Sequence, residues 1–308
     1  MHVLVTGGAG FIGSHSVEAL LQAGARVRVL DSFITGSRQN LPSHPDLEIC
    51  TGDIRELKDV ADAAVGITHI LHLAAQVSVQ DSIADPTKSC HVNIQGFVNV
   101  LNTLRTHQVQ RVVYASSAAV YGYPIQLPLL ETTPVKPISP YGLEKSINDQ
   151  YAFLFHELFG CSTFGLRYFN VYGPRQDPQS PYAGVISKFM DCVQQEQPLT
   201  LFGDGTQTRD FVFVKDVAQA NVRALQAQTL GVCHVATGTS RSLLDMIHVL
   251  SECVGHDLQV IHRDSQAGDI PHSVADVNKL SSDLDVYCST DFLEGLTILM
   301  NEVLGNKR

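Results

Sequence analysis

The sequence predicts an α/β fold: a doubly wound parallel sheet with a smaller C-terminal α/β unit. Three observations carry that prediction. The chain opens on an apolar strand that runs through a glycine turn into a helix. Strand and helix patterns then alternate regularly through the first half. At 308 residues the chain exceeds one ordinary domain but falls short of two large ones, so a core domain with a smaller appended one fits.

The opening stretch, His2 to Ser14, reads as strand, turn and helix start. Gly7, Gly10 and Gly13 form Gly-x-x-Gly-x-x-Gly, a relative of the dinucleotide fingerprint. One glycine tightens the turn, one admits a pyrophosphate, and one lets helix pack on strand. Val17, Leu20 and Leu21 stripe the helix, Gly24 ends it, and Arg26 to Asp31 reads as a second strand. Asp31 stands where an acid binds the adenosine ribose hydroxyls and repels a 2′-phosphate, which favours NAD over NADP.

Composition narrows the function classes. Hydrophobic content of 44%, charged content of 17% and a formal charge of −10 describe a globular protein without a nucleic-acid or anionic-membrane partner. Seven cysteines, widely spaced and odd in number, read as reduced, buried thiols of a cytoplasmic protein, with no metal-ligand pair among them. No run approaches a membrane span, and the N-terminus is too short and glycine-rich for a signal peptide.

Further along, Leu47 to Cys50 reads as a third strand, followed by Asp53 and Ile54. That pair can clasp an adenine, or Asp53 can N-cap a helix. Thr68 to Ala75 reads as a fourth strand ending in the small residues a cofactor's close approach requires. Its His69 and His72 are expected to be packed or surface residues rather than ligands. A long helical pattern follows Pro86 through Val92, Leu101 and Leu104, with Asn93 facing back. Gln110 to Ala115 is a fifth strand that delivers Ser116 and Ser117 at its C-terminal end, the edge where open α/β sheets bind ligands. A proline-rich loop, Tyr121 to Tyr141, leads to a helix capped by Ser139 with Pro140 in first position.

Tyr141 and Lys145 lie four apart on that helix and project from one face. Alone, Tyr-x-x-x-Lys carries little information; after a serine at a strand end, in a chain that begins with a dinucleotide turn, it reads as chemistry. NAD oxidises an alcohol only if the hydroxyl proton leaves as the hydride moves. Tyrosine, with a pKa near ~10, needs help to act as that base. A lysine ammonium and a cationic nicotinamide nearby stabilise its phenolate. Lys145 can also hold the nicotinamide ribose, and Ser117 can polarise the substrate oxygen or relay its proton.

The chain resembles the extended short-chain dehydrogenase/reductase superfamily, and within it the UDP-glucose/UDP-N-acetylglucosamine 4-epimerases. The likeness runs along essentially the whole length. It rests on Gly7 to Gly13, Leu73-Ala74-Ala75-Gln76, Ser116 to Gly122, Tyr141 with Lys145, Leu166 to Arg175, and Gly203-Asp204-Gly205 through Arg209 to Val212. The resemblance implies a Rossmann NAD-binding domain over 1–170, to which the chain returns around 207–237. Residues 171–308 then form mostly a nucleotide-sugar-binding domain. It implies tightly retained NAD held by Gly7, Gly10, Phe11, Ile12, Gly13, Asp31, Asp53, Ile54, Leu73, Ala74, Ala75, Gln76, Asn93, Ser116, Tyr141, Lys145 and Phe169. It also implies a homodimer joined by helices such as those near 90–105 and 142–158. Similar proteins that dehydrate or decarboxylate carry acids directly after the catalytic hydroxyl, where this chain has Ala118 and Ala119. The expected reaction is therefore 4-epimerisation, with Ser117, Tyr141 and Lys145 catalytic. The rivals are another nucleotide-sugar oxidoreductase of the superfamily and a non-catalytic NAD sensor.

By the same resemblance, Asn170, Gln176, Gly184, Val185, Thr200, Leu201, Phe202, Arg209, Asp269 and Ser273 bind the UDP-sugar, together with Ser117 and Tyr141. Arg209 matches a diphosphate arginine, the alternative being a surface arginine paired with Asp210. Gln266 stands where similar proteins usually carry a second arginine, so the clamp rests on Arg209 or borrows Arg263. Ser273 occupies a gate that a small side chain opens to N-acetyl sugars, whereas Val77 is larger than the glycine of strongly N-acetyl-preferring proteins.

Overall fold

Val3, Leu4 and Val5 have no accessible surface, as befits a strand sandwiched between two helix layers. The computed structural model describes residues 1–177, 184–264 and 270–305. In chain order the first part holds β1 (His2–Thr6), α1 (Phe11–Gln22), β2 (Arg26–Asp31), β3 (Leu47–Thr51), α2 (Leu57–Ala64), β4 (His69–His72) and α3 (Val79–Ala84). Then come α4 (Pro86–Cys90), a π turn (His91–Gln95), α5 (Gly96–Thr106), β5 (Arg111–Ser117), α6 (Pro140–Phe159) and β6 (Thr163–Tyr168). The remainder is β7 (Asn170–Tyr172), α7 (Val185–Gln194), β8 (Leu199–Phe202), β9 (Thr208–Phe213), α8 (Val214–Gln226), β10 (Gly231–Val235), β11 (Ser240–Ser242), α9 (Leu243–Val254), β12 (Val260–Arg263), α10 (Asn278–Leu284) and α11 (Phe292–Gly305).

The main sheet is parallel throughout, in the order β10-β6-β5-β4-β1-β2-β3. The chain winds outward from β1 in one direction and from β4 in the other. Their carboxyl ends therefore open a crevice where no crossover helix intervenes. α8 packs on α1 and β10 extends the sheet beyond β6, so this stretch returns to the first unit, whereas β9 pairs with β7 and β11 instead. α7, α9 and α11 enclose a second core around Phe189, Leu201, Met246 and Leu296. No helix among the described residues is long and apolar enough to cross a membrane.

Three expectations need correction. The strand predicted over Thr68 to Ala75 pairs only through His72; Leu73 to Ala75 leave the sheet to cross the glycine turn. The helical run after Pro86 is interrupted by the π turn at His91–Gln95, within which Asn93 faces inward as expected. Of the seven free cysteines only Cys161 and Cys233 are fully buried, and Cys90 is exposed.

Candidate active site

The glycine turn is shaped by contact rather than by flexibility. Gly7 has φ +70°, and a Cβ on it would stand 2.7 Å from the Ala74 nitrogen. A Cβ on Gly13 would stand 2.0 Å from the Gly7 carbonyl oxygen, so only glycine lets α1 start this close to the turn. Gly10 caps α1 with no side chain to satisfy the first-turn N–H groups, which leaves them and the positive helix end facing the crevice. Half-buried Phe11 and Ile12 flank that end. Such a cradle fits a dinucleotide pyrophosphate.

Asp31 lies at the end of β2, its carboxylate accepting from the Ala9 N–H at 2.9 Å and the Phe33 N–H at 2.8 Å. It thus braces the glycine loop from the adenosine side. Asp53 does not N-cap α2: Glu56 holds that position, and Asp53 binds the Arg55 guanidinium at 2.6 Å. Arg55 also draws the Asp53 carboxyl below its usual range. Ile54 packs in the core against Gly96. Phe169 is likewise a core side chain, edge-on to His234 at 5.2 Å.

Asn93 gives both amide protons to protein, to the Gln76 carbonyl at 2.8 Å and to Glu144 at 2.7 Å, and accepts from the Gln76 N–H at 2.9 Å. It therefore clamps the peptide of the Leu73–Gln76 loop instead of offering a donor to the cofactor.

Ser116 and Ser117 end β5, and Ser139 caps α6 by accepting from the Gly142 N–H, with Pro140 in first position. α3 supports this corner, since the Ser82 hydroxyl accepts from the Tyr141 N–H at 3.1 Å. Burial pushes the Tyr141 phenol above its usual value; the Ser117 hydroxyl pulls it down and Glu144 pushes it up. Lys145 is buried, and its ammonium donates to the Ala115 carbonyl at 2.8 Å, 5.8 Å from the Tyr141 ring centre. Burial brings Lys145 down to about 8, against the opposing pull of Asp149 and Glu144. Lys145 thus stands as a cation anchored to β5 beside the phenol ring. Beneath it, His72 stacks on Phe97 and bonds Thr6; burial and Lys145 bring it down to about 3, so it stays neutral.

Across the crevice, Asn170 is exposed at the start of β7. The Gln176 side-chain oxygen accepts from the Ser187 hydroxyl at 2.6 Å, and its amide nitrogen lies beside Gly184, the N-cap of α7 before Val185. In β8, Thr200 and Phe202 face outward while Leu201 is wholly buried, a consequence of the strand's two-residue period, so the Leu201 side chain belongs to the core. Arg209 does not pair with Asp210. Asp210 has no exposure and accepts from the Thr237, Gly238 and Ala275 N–H groups, tying two segments of the chain to β9. Arg209 instead donates to the Thr208 carbonyl at 2.9 Å. The Ser273 N–H donates to the Thr208 carbonyl and its side chain is nearly buried, whereas Val77 is exposed. Arg263 ends β12 beside Phe202. Asp269 and Gln266 lie outside the described residues.

Residues 3–235 match the model of the NAD dependent epimerase/dehydratase family. The chain belongs to that family. Its cofactor is accordingly NAD, for which the glycine cradle is shaped. It is 38% identical to a putative UDP-glucose 4-epimerase of Methanocaldococcus jannaschii, covering 99% of both chains. Among solved structures, it resembles the UDP-N-acetylglucosamine 4-epimerase of Methanobrevibacter ruminantium in complex with UDP-N-acetylmuramic acid. That likeness has a TM-score of 0.96 at 35% identity over 99% of this chain and 98% of that one. The UDP-glucose 4-epimerase of Thermus thermophilus in complex with NAD gives 0.92 at 37% identity, with 99% of each chain covered. Glu144 and Asp210 are the site residues that sequence reading missed. Each looks like an ordinary polar residue until its burial is seen.

Proposed function

We propose that this protein is an NAD-dependent 4-epimerase of UDP-hexoses. It acts on UDP-N-acetylglucosamine and UDP-N-acetylgalactosamine, and also on UDP-glucose and UDP-galactose. The observation that carries the reading is Ser117 at the end of β5 facing Tyr141 on α6, followed by Ala118 and Ala119, which can move no proton at a neighbouring carbon. NAD, held in the glycine cradle and at Lys145, would supply reversible hydride acceptance at C4 of the sugar. Tyr141 accepts the C4 hydroxyl proton and gives it back, with Ser117 hydrogen-bonded to the same oxygen. Lys145, braced on Ala115, holds the cofactor ribose and keeps a positive charge beneath the phenol. Arg209 binds the diphosphate, Asn170 and Gln176 contact the sugar side, and Thr200 and Phe202 flank the uracil. Small Ser273 admits an N-acetyl group, a reading supported by the relative whose bound ligand is an N-acetylated sugar nucleotide.

A homodimer is part of the same proposal. Leu143, Phe153, Leu154, Leu158 and Phe159 leave the outer side of α6 apolar and exposed, which suits a second copy of the same helix. Sedimentation at the monomer mass would remove that part.

The test of function is a product assay with purified protein and no added NAD, given UDP-N-acetylglucosamine or UDP-glucose. Formation of both 4-epimers is expected. Conversion of UDP-glucose alone would reject the Ser273 gate in favour of restriction by Val77. No conversion of either, even with NAD supplied, would reject the reaction.

A further inference from the structure

Glu144 is 3% exposed, next to Lys145 and one helical turn from Tyr141. One of its carboxylate oxygens accepts from the Ser89 hydroxyl and from the Asn93 amide, each at 2.7 Å. No ion pair to it appears among the described residues, so the carboxyl group is held by neutral donors. A carboxylate out of water loses several kcal/mol of hydration, on the order of what a buried ion pair has to recover. A glutamine oxygen could accept the same two hydrogen bonds without that loss. Replacing Glu144 by glutamine therefore separates the carboxylate's charge from its hydrogen bonds.

The geometry extends in two directions. Through Asn93, Glu144 grips the Gln76 peptide, and through it the loop that crosses the Gly7 turn. Along its own helix it acts on Tyr141 and Lys145 together. The other charges in this corner are accounted for. Asp149 on α6 also acts on Lys145 but is paired with Arg167 of β6 at 2.9 Å; Tyr114 of β5 bonds Asp149; and His72 of β4 is neutral. α4 and the π turn contribute Ser89 and Asn93, both uncharged.

We propose that Glu144 is a positioning residue of the reaction. Its carboxylate locks the catalytic helix to the Gln76 loop through Asn93 and Ser89 and sets a fixed negative charge beside Tyr141 and Lys145. The proposal rests on the 4-epimerase reading. A negative charge favours the protonated form of both neighbours, so removing it moves both titrations the same way.

The test is Glu144→Gln. The whole pH profile of kcat/KM should move toward acid by about one pH unit, as loss of a close charge predicts, with both limbs shifting together. A purely structural role would lower the rate and leave the limbs in place, and that result overturns the proposal. Should Glu144→Gln fail to fold, Glu144→Met removes the same charge and should show the same acid shift, unmoved limbs overturning the proposal; Glu144→Asp keeps the charge and should match the parent. Ultraviolet titration of tyrosinate separates this inference from the reading beneath it. The signal lost in Tyr141→Phe should titrate at lower pH in the Glu144→Gln background, whether or not any sugar is converted. A parent enzyme that forms no 4-epimer while the titration shifts would fault the function and spare Glu144.

Discussion

Substituting Gly13 by alanine tests the cofactor cradle most directly. The new methyl would lie 2.0 Å from the Gly7 carbonyl oxygen, 2.8 Å from the Gly8 Cα and 2.9 Å from the Gly7 carbonyl carbon. All three neighbours are backbone, so no side chain can swing aside and the start of α1 must retreat from the turn. Overpacking of this kind costs about 1–3 kcal/mol of stability. The larger effect falls on NAD. If two first-turn N–H groups lose the pyrophosphate, at about 1.5–3 kcal/mol for each hydrogen bond to a charged group, affinity drops by roughly two to four orders of magnitude. NAD released from the denatured protein reports retention, and titration of NAD into the stripped protein reports affinity. Gly24→Ala, at the other end of α1, is the matched control. There φ is +75° but nothing lies within 4 Å, so only left-handed strain of about 1–2 kcal/mol is expected, with NAD content unchanged. A Gly13→Ala protein that keeps a full complement of NAD at parental affinity would refute the reasoning.

Tyr141→Phe should reduce turnover by about two orders of magnitude or more while NAD stays bound, since only proton transfer is lost; unchanged turnover would remove Tyr141 from the mechanism. Burial brings Lys145 down to about 8, so it is a cation below that pH and neutral above it. The kcat/KM of the parent enzyme should therefore fall as pH rises through about 8, and a flat profile to pH 10 would show that the lysine charge is not needed. Asp149→Asn should destabilise the fold by about 3–5 kcal/mol in urea unfolding, because it leaves the Arg167 guanidinium buried without its carboxylate; a loss below about 1 kcal/mol would contradict that account.

The sequence alone determined whatever depends on a few consecutive residues. The spacing of Gly7, Gly10 and Gly13 dictates a turn tight enough to start a helix against it. Ser139-Pro140 sets where α6 begins, and four-residue spacing puts Tyr141 and Lys145 on one face of that helix. These are steric and hydrogen-bonding rules within one or two turns of chain, and they hold whatever surrounds them.

Tertiary structure decided the side chains whose partners lie far along the chain. Leu201 and Thr200 are neighbours, yet packing against Met246 and Leu296 sends one into the core and leaves the other at the surface. Asn93 faces inward by its place in the helical run, but its partners Gln76 and Glu144 reach it only because the Gln76 loop and α6 pack alongside. Adjacency in sequence pairs Asp210 with Arg209, but consecutive strand residues point to opposite faces, and the partners of Asp210 are N–H groups 27, 28 and 65 residues away. Glu144, in the middle of a motif legible from sequence, looks like a solvated helix residue until the fold buries it against Ser89 and Asn93. Local spacing fixes where a side chain is mounted, whereas the dielectric and the partners around it exist only once the chain has folded.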